Sequence, residues 1–166
     1  VAVLAGLVLA ALGASAVLDR PARVMLVSST VDAPKAEVWA VLTDFDDYDQ
    51  WNPVMTSAAG EPEVGAELDL ELTLPGHEPE ELDAEVLIAR PERKLRWQDR
   101  VVLPGVRDWE YEFVLQPLEP GRVVLVQLLR SEGLLAPFTD EEAAREALAL
   151  MGEALASTGV GNDLFR

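Results

Sequence analysis

The chain has 166 residues, 49% of them hydrophobic, and a formal net charge of −17 from 30 acidic against 13 basic side chains. That length and apolar content suit one domain with a real core and exclude intrinsic disorder. The acidity and the lack of any basic stripe exclude nucleic-acid binding, because a phosphate backbone would be repelled.

There is no cysteine and a single histidine, His77. Disulfides, thiolate nucleophiles, zinc–thiolate centres and multi-histidine metal sites are excluded with them. The acidity itself reads first as a solubility setting or an adaptation to salt.

The first element is "VAVLAGLVLAALGASAVL", apolar throughout except for glycine and one serine, and uncharged until Asp19. Its length reaches the lower limit of a membrane span, about 17–20 residues. It ends in a small-x-small "ASA" (14–16) that resembles a signal-peptidase site. A membrane anchor and a cleaved secretory signal are the two main readings. A buried soluble helix is the third, disfavoured because the segment has no polar face. Arg20 and Arg23 follow it and favour a cytoplasmic domain if it is an anchor. The expected division is therefore 1–22 for an apolar anchor or signal helix and 23–166 for the folded domain.

"RVMLVSSTV" (23–31) is short and β-branched, and reads as a strand. In "DAPKAEVWAVL", Asp32 can cap a helix and Pro34 can sit in its first turn. Val38, Val41, Leu42 and Phe45 then share one helical face. Asp44 restarts a cap, Phe45, Tyr48 and Trp51 recur every third residue, and Pro53 stops a second short helix.

After Pro53 the apolar period becomes two. "VMTSAAG" is a weak strand. "ELDLELTL" directs Leu68, Leu70, Leu72 and Leu74 one way and acidic residues the other. "LDAEVLIA" alternates through Leu82, Ala84, Val86 and Ile88. "KLRWQDRVVL" groups Leu95, Trp97, Asp99 and Val101; "DWEYEFVLQP" groups Trp109, Tyr111, Phe113 and Leu115; "GRVVLVQLLRS" is nearly apolar throughout. That makes about seven antiparallel strands joined by hairpin-type turns. "PFTDEEAAREALALMGEALASTG" closes the chain with a T-x-x-E capping box at Thr139 and Glu142, a stripe of Ala144, Leu148, Met151 and Leu155, and a stop at Gly159. The whole is one α+β domain.

This element order, with "DAP" (32–34), "VWAVLTDF" (38–45), "Y-x-x-WNP" (48–53), "VGAEL" (64–68) and "P-x-R-K-L-R-W" (91–97), resembles the SRPBCC superfamily. That group includes START-like, pollen-allergen-like and polyketide cyclase/dehydratase-like proteins, and the likeness covers residues 24–156. The resemblance implies a helix-grip fold, in which a curved antiparallel sheet of about seven strands wraps a long C-terminal helix around an apolar cavity. It also implies a small hydrophobic ligand, lipid- or polyketide-like. Fold alone does not settle function, so a cyclase/dehydratase-type enzyme and a stress-response or protein-interaction regulator stand as alternatives.

The residues expected around such a ligand are Trp51, Leu70, Leu72, Trp97, Asp99, Trp109, Tyr111, Phe113, Gln127, Leu148 and Met151. Asp99 and Tyr111 are the candidates for catalysis. An inward Asp99 would have a raised pKa suited to acid or base work; the alternative is an Asp99 at the strand end, exposed or paired with an arginine. Gln127 either orients a ligand or bonds locally. Tyr111 either donates its phenol or packs with its hydroxyl at the rim. Trp97 and Trp109 read as cavity or core wall. His77 sits in a loop beside glutamates and reads as solvated, with no partner in the sequence to orient it as a base.

"DFDDYD" is not a calcium loop: counted from Asp44, the sixth and twelfth positions hold Asp49 and Met55 rather than Gly and Glu. No metal and no cofactor are expected. The expected partner is a small hydrophobic ligand, with no nucleic acid and with membrane association through residues 1–18; the sequence does not set the oligomeric state.

Overall fold

The computed structural model describes residues 22–100, 106–133, 135–136 and 139–158. Within them the chain forms β1 (Arg23–Val31), α1 (Lys35–Thr43), a 3-10 turn (Phe45–Asp47) and α2 (Tyr48–Trp51), then β2 (Met55–Gly60) and β3 (Glu67–Leu72). β4 (Glu80–Arg90), β5 (Lys94–Arg100), β6 (Asp108–Glu119), β7 (Arg122–Glu132) and α3 (Glu141–Ser157) follow. The strands make one antiparallel sheet in the order β1-β7-β6-β5-β4-β3-β2. β2 to β7 are successive neighbours, and β1 closes the sheet beside β7. The curved sheet gripping α3 is the helix-grip architecture.

The two-residue period carries through to burial. Leu68, Leu70 and Leu72 of β3, Leu95 and Trp97 of β5, and Tyr111, Phe113 and Leu115 of β6 are buried on the face turned toward α3. Ala144, Leu148, Met151 and Leu155 of α3 are buried against them, with the helix lying mainly on β1. Each large side chain fully buried in this way contributes about 1.5–3 kcal/mol relative to its exposed state.

β4 departs from strict alternation. Val86 pairs with Trp97, but Ile88 pairs with Arg96 and Ala89 with Leu95. The extra residue is a β-bulge, which shifts every later side chain by one face. Ile88 therefore leaves the inner set predicted for it, and Ala89 packs on the core.

The helix starts also differ from the predicted caps. Asp32 accepts from Arg122 Nε (2.5 Å) instead of capping α1, whose N-cap position is Pro34 and has no side-chain bond. Asp44 makes no side-chain cap either. At α3 the capping residue is Asp140, which accepts from the Ala143 amide (3.0 Å); Thr139 shares a hydroxyl hydrogen bond with Ser131 instead (3.1 Å). At Asp32 and Thr139 a partner from another part of the chain takes the oxygen.

α1 and α2 are tied by Tyr48, whose buried hydroxyl donates to the Leu42 carbonyl (2.7 Å). That bond satisfies one of the carbonyls a helix end leaves open. Asn52 then accepts from the Val54 and Met55 amides (3.0 and 2.9 Å), which turns the chain into β2. Among the described residues no helix is long and apolar enough to cross a membrane. The predicted apolar segment 1–18 and the predicted stop at Gly159 lie outside them.

Candidate functional site: a cleft between the sheet end and the last helix

A cleft of about 500 Å³ opens where the ends of β3, β4 and β6 approach the N-terminus of α3. Leu72 closes β3, and the connection after it adds Leu74, His77 and Glu78. Glu80 opens β4, Arg107 and Trp109 stand at the start of β6, and the approach to α3 supplies Leu135, Thr139 and Asp140. One wall is thus apolar and the rim is ionic. Two other hollows, of about 370 and 310 Å³, lie on the outer face of β3 and β4 among carboxylates.

Arg107 is fixed from three sides. Its Nη1 pairs with Glu80, and its Nη2 donates to Asp99 Oδ2 at 3.1 Å. Its guanidinium carbon stands 4.5 Å from the centroid of the Trp109 ring, a cation–π distance. Trp109 is held in turn by its Nε1 donating to Ser131 Oγ (3.0 Å).

Asp99 is buried, with 3% of its surface exposed. Burial pushes its carboxyl above the ordinary range, and Arg107 partly offsets that by favouring the ionised form. At the rim, His77 Nε2 donates to Asp140 Oδ2 (3.3 Å). Asp140 is held below the usual carboxylate range by the Ala143 amide and then by His77.

The predicted site residues fall into distinct places. Leu72 and Trp109 line the cleft. Asp99 stands behind Arg107, so it is both inward and paired with an arginine. Leu70, Trp97, Phe113, Leu148 and Met151 lie in the core. There the Trp97 ring meets Phe113 at 5.0 Å and Tyr111 at 6.3 Å between centroids. Trp51 is on α2, partly buried and 5.0 Å from the Tyr48 ring.

Tyr111 is buried, and its hydroxyl has no hydrogen-bond partner among the described residues. Burial first, and then the negative charge of Asp99, raise its pKa. Gln127 bonds locally: its Nε2 donates to the Leu148 carbonyl (2.7 Å), while its Oε1 is buried without a described partner.

Glu80, Arg107 and Asp140 were not singled out by the sequence pattern. Arg107 had a usable signal, because it lies two residues before Trp109 and so continues the inward set of β6 back by one step. Glu80 and Asp140 carried none, since their roles depend on Arg107 and on His77, which is 63 residues from Asp140.

Residues 24–158 match the family described as polyketide cyclase/dehydrase and lipid transport. No curated protein matches the chain. A START superfamily protein from Mycobacterium smegmatis has a similar structure, with a TM-score of 0.67 and 21% identity over 85% of this chain and 98% of that one. Truncated norcoclaurine synthase from Thalictrum flavum is similar at a TM-score of 0.66 and 16% identity, over 85% and 95% of the two chains. A Nitrosomonas europaea protein reaches 0.67 at 16% identity over 86% and 97%. These likenesses concern the fold. With its helix-grip architecture and a family match over nearly all the described residues, the chain belongs to the polyketide cyclase/dehydrase and lipid transport family, in the START-like SRPBCC group.

Proposed function

We propose that this protein binds a small hydrophobic ligand in the cleft at the N-terminus of α3. The observation that carries this reading is the apolar wall of Leu72, Leu74, Trp109 and Leu135 in a cleft of about 500 Å³. That volume lies within the usual range for small-molecule sites. Apolar burial supplies about 25 cal/mol per Å² before the costs of association. The few polar groups at the rim set orientation. The family's description, which includes lipid transport, agrees with an apolar ligand.

A second reading, an acid/base enzyme of the cyclase/dehydratase kind, is favoured by one observation. Asp99 is a buried carboxyl with a raised pKa, on the same inner face as a buried Tyr111 hydroxyl that has no described partner.

Native mass spectrometry of the purified protein mixed with a lipid extract tests the first reading. A one-to-one complex with an apolar molecule is expected, and it should be lost in Leu135→Arg, which places a charge at an exposed position of the apolar wall. No complex with any extract component would refute it. For the second reading, Asp99→Asn should retain the complex and abolish turnover.

A further inference from the structure

The ionic groups around the cleft are unequal in sign and unequal in availability. Three carboxylates, Glu78, Glu80 and Asp140, line it against one guanidinium, that of Arg107. A fourth carboxylate, Asp99, stands behind that guanidinium.

The cation is already committed. Each Arg107 Nη pairs with a carboxylate, its guanidinium carbon stands 4.5 Å from the Trp109 ring centroid, and its Nε is buried with no hydrogen-bond partner among the described residues. The one histidine is engaged as well, with its Nε2 on Asp140. An incoming carboxylate or phosphate would find, among the described residues lining the cleft, only a guanidinium already paired with two carboxylates, and would meet three negative groups. An incoming ammonium would find Glu78, which forms no ion pair with a described residue, and unused acceptor capacity on Glu80 and Asp140.

We infer that the cleft selects a hydrophobic cation, an amine with an alkyl or aryl body, over fatty acids and other apolar anions. This rests on the hydrophobic-ligand reading above and narrows it to one chemical class. The apolar body lies along Leu72, Leu74, Leu135 and the exposed part of Trp109, and the ammonium reaches the rim at Glu78 and Glu80. The preference is electrostatic, so added salt weakens it while leaving the apolar contribution in place.

The test is isothermal titration of the full chain at pH 7 with three probes of equal chain length: decylamine, decanol and decanoate, each below its aggregation concentration. Decylamine is expected to bind tightest and decanoate weakest. Glu78→Gln should weaken decylamine about two- to fivefold, the range for one solvent-exposed charge pair, and leave decanol unchanged. Asp69→Asn, which removes a charge from the outer face of β3, should leave all three unchanged.

If decanol or decanoate binds as tightly as decylamine, the cation preference is overturned and the hydrophobic cleft stands. If Asp69→Asn weakens decylamine as much as Glu78→Gln does, attraction by the overall negative charge explains the preference, and the assignment to the cleft is overturned. If none of the three binds, the hydrophobic-ligand reading fails and this one fails with it.

Discussion

Gly152 shows how one side chain's absence holds two elements together. It lies in the middle of α3, where alanine would ordinarily be favoured by about 1 kcal/mol. A Cβ there would stand 2.2 Å from Ser29 Oγ and 2.8 Å from Gln127 Nε2. The helix is this close because Gln127 donates to the Leu148 carbonyl one turn earlier. Gly152→Ala should therefore destabilise the fold, by about 1–3 kcal/mol as for other overpacked sites, in urea unfolding; a more stable variant would show that α3 can shift freely.

Asp99 makes a prediction of the opposite kind, through protons. Its folded pKa is raised, chiefly by burial. Between the ordinary carboxylate value near 4 and that raised value, the folded state holds a proton that the unfolded state has released. Its contribution to stability is thus greatest in acid and falls as pH rises through this window. Asp99→Asn cannot titrate, so the stability difference between variant and parent should move in favour of the variant as pH rises above 4. A constant difference in thermal unfolding across the series would remove the claim.

At the scale of elements, β3 and β4 place like charges directly opposite one another. Glu67 faces Glu85, Asp69 faces Asp83, and Glu71 faces Glu81 on the outer face of the sheet. The inner face of the same ladder pairs Leu68 with Ala84 and Leu70 with Leu82, so apolar burial sets the register and the repulsion follows from it. Opposed like charges in a sheet are destabilising. Asp83→Lys should therefore stabilise the protein by up to about 1 kcal/mol, with a gain that shrinks as sodium chloride is added. No gain at low salt would mean that the ladder's charges are already relaxed by solvent. β5 and β6 show the opposite arrangement, with Lys94 on Glu112 (2.8 Å) and Arg96 on Glu110 (3.5 Å).

For the whole molecule, the net charge is −17, and the cleft is a place where carboxylates meet an apolar wall. What the sequence determined by itself was the order of elements, the inward set of most strands and the buried stripe of α3. Those features are local: a period of two or of three to four residues reports which side of an element meets water. Local pattern failed where one residue was inserted, at the β4 bulge, and where a distant partner displaced the nearest one, at Asp32 and Thr139. Only the tertiary structure decided that Asp99 is inward and ion-paired at once, that His77 meets Asp140, and that Gln127 ties β7 to α3. These contacts join residues from 8 to 63 positions apart, and the sheet register together with the seating of α3 fixes them. The cleft belongs to that second group, because its walls come from strand ends and connections whose meeting no local periodicity encodes.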